Sequence, residues 1–337
     1  MKIQYRKVKN EIEIVRCFGT EPYIVLPTQI EGFPVTRVAA YTFSARKGEE
    51  DTDVFEYQTE DSIQSADIEP LLAGMAVEEV VFPNTVEAIG NYIFYGCKSL
   101  KRIEFSDMLM DIGSGAFTGC DRLSKLDVHL NMGEKSCVKE ILGDLWQRID
   151  VTFYYDDKKE KVDLVFPEHY EEAVENTPAR ILFTQHHGSG NNYRQCFTSK
   201  EVDYRKYDEL FAVARVYDKT ELLTDLVFSR LISGKGLTEK CKKSYEDYIL
   251  ENMQDILQKM IKNKNSEMKI ILYMQEMLRR KLLNIEAIDQ AIQLSAEKGM
   301  RELSAWLMNE RFQLTTEAEM PFTEKKSLEK KRKKFVL

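Results

Sequence analysis

Shifted by 23 residues, the middle of this chain falls on itself: Phe82 lands on Phe105, Ile89 on Ile112, Gly90 on Gly113, Phe94 on Phe117, Gly96 on Gly119 and Cys97 on Cys120. Two columns run further, Val77, Leu100, Leu123 and Trp146, then Val80, Ile103, Leu126 and Ile149, which suggests four aligned units. A unit this short cannot bury its own apolar side. Stacking one unit on the next does so, and a fixed period therefore predicts a solenoid with a core continuous along its axis.

A looser copy runs from Leu26 and Pro27 to Val38 and Phe43. Ahead of it, Ile3 to Val8 and Glu11 to Cys17 flank Lys9 and Asn10, the pattern of a hairpin covering the open end of the stack. Between Phe43 and Val77 the period is interrupted. There the stretch 44–70 holds nine acidic and two basic residues, nearly all of the net charge of −8. A stretch of this length and polarity is either a disordered, solvated insertion, the expected case, or a functional loop.

The run Val81, Phe82, Pro83, Ile89, Gly90, Phe94, Gly96, Cys97, Leu100, Ile103 resembles the bacterial leucine-rich repeats of the BspA-like type. Phe105, Ile112, Gly113, Ala116, Phe117, Gly119, Cys120, Leu123 and Leu126 repeat the pattern, and the likeness covers about residues 20–150. It implies a leucine-rich repeat solenoid and leaves the ligand open, because that scaffold serves diverse roles.

After Val151 the repeat fades. Val151 to Tyr155 and Val162 to Phe166 suit strands that finish the sheet, and 167–176 suits a short helix. Ala179 to Thr184 and Asn192 to Phe197 suggest a hairpin around His187, Gly188, Ser189 and Gly190. From Tyr204 apolar residues recur at three and four, as in Tyr245, Ile249, Met253, Ile256, Leu257 and Met260, which is helical spacing. Ile285 to Lys298 and Arg301 to Glu310, split by Gly299 and Met300, resemble an ankyrin-type helix pair through Ala291, Ser295, Ala296, Gly299, Leu303 and Leu307.

The expected class is α+β: a leucine-rich repeat solenoid over 1–166 with its hairpin cap and the insertion 44–70, a mixed connector over 167–203, a C-terminal antiparallel helical-repeat domain over 204–312, and a basic tail over 313–337. In the tail, residues 324–334 carry seven basic and two acidic residues without interleaved aromatics, the pattern of a frayed tail. A nucleic-acid or anionic-surface role would rest on it. The acidic balance argues against a surface built to clamp a phosphate backbone, so nucleic acid is not the expected partner.

No catalytic signature emerges. An enzyme reading would rest on His187, Ser189 and Cys196, yet no Gly-x-Ser-x-Gly elbow surrounds Ser189. His186 and His187, adjacent on a strand, point to opposite faces, so a shared metal ion is not expected, and no cofactor is implied. The six cysteines form no CxxC pair and read as buried thiols. No run approaches the ~18 apolar residues of a membrane helix, and the N-terminus lacks a signal-peptide core, so the expectation is a cytoplasmic protein that contacts no membrane.

The repeat columns yield a candidate surface. If Leu100, Ile103 and Phe105 face inward, Arg102 and Glu104 face outward. The 23-residue shift then builds a basic row of Arg102, Lys125 and Arg148 beside an acidic row of Glu104, Asp127 and Asp150. Such a face either compensates its own charge in solvent or docks a protein partner of unknown identity.

Overall fold

The structure is a computed structural model; it describes residues 1–46, 53–59, 69–155, 159–176, 181–262 and 266–319, with the side chains of 173–186 and 317–319 outside that description. Along the chain, β1 (Lys2–Val8) and β2 (Glu11–Phe18) form the N-terminal hairpin, followed by β3 (Tyr23–Val25), β4 (Gln29–Ile30), β5 (Phe33–Val38) and β6 (Phe55–Gln58). The coils continue with β7 (Glu79–Val81), β8 (Ala88–Ile89), β9 (Arg102–Ser106), β10 (Asp111–Ile112) and β11 (Lys125–Leu130). Then come α1 (Val138–Gly143), β12 (Ile149–Tyr155) and β13 (Glu160–Phe166).

The coils contribute to two sheets, except that α1 stands in place of a second strand after β11. One runs β3, β7, β9, β11, β12 in parallel and ends on antiparallel β13. The other runs β6, β1, β2, β5, β8, β10, with the hairpin capping its first coil strand and β4 pairing with β5. Between them lie Ile24, Val80, Ile103, Leu126 and Val151, all at most 1% exposed. The rings of Phe43, Phe94 and Phe117 stack at 5.2 and 5.7 Å. The thiols of Cys97 and Cys120 donate back to the carbonyls of Phe43 and Phe94 in the preceding coil, at 3.1 and 3.3 Å.

Gly90 and Gly113 recur for a steric reason. Their N–H groups bond the carbonyls of Val38 and Ile89 in the coil below, at 2.8 Å each, and a Cβ on either would stand 2.3 Å from the backbone nitrogen of Ala40 or Asn91. Glycine at that place is the condition for coils to stack so closely.

Four expectations need correction. The 23-residue register fails at the last coil, where Leu126 pairs with Val151 and Lys125 with Asp150, a step of 25. Helix α1 occupies the intervening turn, and Trp146, placed in an interior column by the repeat, is 52% exposed. Within the insertion, β6 pairs antiparallel with β1, so that stretch is sheet; the rest of the acidic run lies largely outside the described residues. The segment expected as a helix over 167–176 instead contributes β14 (Tyr170–Asn176), paired with β15 (Ile181–His187). The turn at Gly190 is α2 (Gly190–Tyr193), not a hairpin tip, and β16 (Phe197–Thr198) pairs with β17 (Glu201–Val202).

Arg194 ties this connector down. It is 4% exposed, and its guanidinium donates to five carbonyls, those of Leu142, Leu145, Pro167, Gly190 and Gln147, at 2.6 to 3.1 Å. Burial pushes its pKa down to about 10, which leaves it charged at neutral pH.

The helical expectation from 204 onward holds as α3 (Tyr204–Glu209), α4 (Phe211–Tyr217), α5 (Thr220–Ser233), α6 (Glu239–Glu251), α7 (Met253–Lys262), α8 (Glu267–Arg279), α9 (Ile285–Glu297) and α10 (Arg301–Glu319). The boundary does not fall at 204. The chain divides into one compact unit of Met1–Asp218 with Ser233–Leu237 and a second of Lys219–Ile232 with Thr238–Leu337. Helix α3 belongs to the first because Tyr207 is fully buried, its hydroxyl donating to the Val165 carbonyl at 2.6 Å and its ring set edge-on to Phe166. In the second unit, side chains of Thr238, Ser266 and Asn284 cap α6, α8 and α9. Gly299 at φ +69 ends α9, with Met300 N–H bonding the Ser295 carbonyl. Helix α9 packs on α7 and α10, and α10 on α8. Helix α10 passes the boundary expected at 312, and the basic run beyond 319 lies outside the described residues.

Candidate recognition face on the parallel sheet

Alternation along β9 sends Ile103 and Phe105 inward and Arg102 and Glu104 outward, as the repeat columns require. The outward positions line up in three rows across the sheet. The first holds Tyr23, Glu79, Arg102, Lys125 and Asp150; the second Val25, Val81, Glu104, Asp127, Thr152 and Asp163; the third Ser106, His129, Tyr154 and Lys161. The expected single-sign rows are therefore corrected: the step of 25 puts Asp150, not Arg148, beside Lys125. In the first row Glu79 and Asp150 flank the adjacent cations Arg102 and Lys125, and Asp127 in the second row, which both cations reach, offsets the repulsion between them.

Arg102 is the centre of this face. Its guanidinium lies 3.2 Å from Glu79, 2.5 Å from Asp127 and in contact with Glu104. Burial works against its charge, but the hydrogen bonds and charges of Asp127 and Glu104 outweigh it and push its pKa up. The Asp127 side chain is 2% exposed and receives Lys125 at 3.7 Å and the Tyr154 hydroxyl at 3.4 Å on its other oxygen. His129 Nε2 sits 3.0 Å from Glu104, and its ring stacks on Tyr154 at 4.9 Å. Burial, then the charge of Asp127, pushes the Tyr154 phenol up to about 12. Thr152 donates to Asp163 at 2.7 Å, and Arg148 clasps Asp150 at 2.8 and 3.0 Å.

Of the six residues expected at this face, Arg102, Glu104, Lys125 and Asp127 form one connected network, while Arg148 and Asp150 form a separate pair at the β12 end. Arg102 and Asp127 are not free surface charges. They hold each other, so reversing Arg102 would strand a buried carboxylate. The sequence reading missed Glu79, although it stands 23 residues before Arg102 and the same shift finds it. It missed Tyr154 and Asp163 because their places depend on the register step after α1. Tyr23 and Val25, half exposed at 51% and 50%, add an apolar ledge beside the charged network.

The residues on which catalysis would rest are otherwise engaged. The buried hydroxyl of Ser189 donates to Asp218, whose carboxyl is pushed up by burial. The His187 ring stacks on Tyr170 at 4.4 Å with Nε2 3.4 Å from Glu172. Cys196 is buried, and its thiol is pushed up to about 12 by that burial. The His186 side chain lies outside the described residues. Among the described residues, no group of three or more His, Cys, Asp or Glu is placed to hold a metal ion, and no helix is long and apolar enough to cross a membrane.

Stacked coils that lay successive strands into a parallel sheet around an apolar interior define a leucine-rich repeat solenoid. Residues 71–138 match the BspA type leucine rich repeat region in six copies. Among solved structures, the chain is similar to a leucine rich repeat protein of T. pallidum, at 26% identity over 43% of this chain and 56% of that one, with a TM-score of 0.28. It is also similar to a leucine rich cell surface protein of Faecalibacterium prausnitzii A2-165, at 20% identity over 39% of this chain and 38% of that one, with a TM-score of 0.24. The chain thus spans little more than half the length of the first. No curated protein matches this sequence.

Proposed function

We propose that this chain is a non-enzymatic recognition scaffold that docks a protein partner on the outward face of its parallel sheet. The observation that carries the reading is the network around Arg102: three carboxylates hold one guanidinium across successive strands, so polar groups stand at fixed heights and spacings before any partner arrives. Preorganised side chains lower the ordering cost of binding, and a regular solenoid surface offers such groups over several coils. The ledge of Tyr23 and Val25 supplies apolar area next to the charges, the usual composition of a recognition surface.

The experiment leaves Arg102 and Asp127 untouched. Lys125 and Asp150 face each other across β11 and β12 and are 42% and 45% exposed. Lys125→Glu with Asp150→Lys inverts the charge pattern at constant net charge. Partners captured from native extract by the wild-type chain should be lost by the swapped chain although it still unfolds cooperatively, the swap setting residue 125 against Asp127 and residue 150 against Arg148 at some cost in stability. Identical capture by both would remove this face from consideration.

A further inference from the structure

The helical unit carries a groove of about 740 Å³ where the turn between α6 and α7 meets the first turns of α9. Two matched pairs of long polar side chains form a ladder in its lining. Gln254 and Gln258 lie one turn apart on α7, and Glu286 and Gln290 hold the same places on α9: both pairs are 32 residues on, as are the helix starts at Met253 and Ile285. Among the described residues, the side-chain amides of Gln254, Gln258 and Gln290 have no hydrogen-bond partner.

The charge of the groove has one sign. Glu251, Asp255 and Glu286 line it, and no described lysine, arginine or histidine does. Of the three, Asp255 is paired with Lys259 at 3.3 Å, and Lys259 also lies 3.6 Å from Glu221. A phosphate backbone is repelled here, and an acidic peptide equally so.

We infer that this groove takes an extended, basic segment of a protein partner. Each glutamine amide offers one acceptor and two donors, the complement of a main-chain N–H and C=O. An extended chain repeats same-side groups every ~6.8 Å, within reach of side chains on packed helices whose axes lie about 8–10 Å apart. A helical ligand has already used its backbone groups, so the ladder selects an extended one. The carboxylates then select lysine or arginine side chains. This site is independent of the sheet face and stands or falls separately.

The test uses the full chain and a fluorescein-labelled short peptide alternating alanine with lysine and arginine, read by fluorescence anisotropy. The wild type should bind it saturably and should not bind a glutamate-bearing counterpart. Gln258→Ala with Gln290→Ala, which leaves the charge unchanged, should weaken binding by about fivefold or more. Gln258→Lys alone, a second route to the same site, should weaken it likewise. Asp150→Asn with Asp163→Asn removes two charges from the sheet face and should leave the affinity unchanged. Absence of binding, wild-type affinity in both glutamine variants, or an equal loss in the sheet-face control overturns the inference.

Discussion

Replacing Gly113 by alanine tests the stacking argument at its tightest point. The added Cβ would stand 2.3 Å from Asn91 N and Gly90 C and 2.5 Å from Gly90 O, all backbone atoms that no rotamer change can move. Ordinary contact requires about 1 Å more, so the two coils must part along this seam. Three hydrogen bonds cross it: Gly113 N–H to Ile89 O at 2.8 Å, Tyr92 N–H to Ser114 O at 3.1 Å, and Ser114 N–H to Asn91 Oδ1 at 2.8 Å. Opening by that amount takes all three past useful length, at about 1 kcal/mol net each. Overpacking strain adds about 1–3 kcal/mol. The expected loss is therefore about 4–6 kcal/mol. Two controls frame it. Gly133 has nothing within 4 Å of its would-be Cβ, so Gly133→Ala should be neutral or slightly stabilising. Ala39 occupies the equivalent place in the first coil, its N–H bonding Ile14 O in the hairpin, and Ala39→Gly should cost only about 0.5–1 kcal/mol. The assay is denaturant unfolding followed by far-ultraviolet circular dichroism, with hydrogen exchange of peptides from 82–130 to assign the loss to the coils. A Gly113→Ala midpoint equal to that of Gly133→Ala would refute the account of why coils stack.

Arg194→Met should destabilise the chain by about 3–5 kcal/mol, because five carbonyls lose their donor at once, and Arg194→Lys should not rescue it in thermal melts, since one ammonium cannot reach all five. In a double-mutant cycle, Arg102→Ala and Asp127→Asn should couple by about 1–2 kcal/mol in unfolding free energy; additive losses would dissolve the network. The thiols of Cys17, Cys97 and Cys196, each pushed up to about 12 by burial, should resist iodoacetamide at pH 8 in the native chain and react once it is unfolded, as mass spectrometry would read. Tyr154 keeps its proton longer folded, to about 12, than the ordinary value of 10.0, so its contribution to stability is full below pH 10 and lost as pH rises to about 12. Tyr154→Phe should flatten that part of a pH-dependent melting curve.

Most of the solenoid was legible in the chain because its signals are local. Alternation of two sends Ile103 and Phe105 one way and Arg102 and Glu104 the other, whatever else the chain does. Period 23 and the recurring glycine set coil on coil. The candidate face was only partly legible. Arg102, Glu104, Lys125 and Asp127 follow from the period, whereas Tyr154 and Asp150 took their places from the turn that α1 fills. Strand pattern carries no information about how many residues a turn absorbs, and a step of two keeps the same side outward, so the pattern could not reveal it.

By itself, then, the sequence determined which side chains face the interior, that the coils stack, and that helices follow them. Only the tertiary structure decided the partners: β6 on β1, β14 with β15, Tyr207 against Val165, and Arg194 among five carbonyls from distant segments. The physical reason is one of range. Periodicity is set by residues a few places apart, whereas the acceptor of a buried donor or the neighbour of an edge strand is chosen by the whole chain once it has closed on itself.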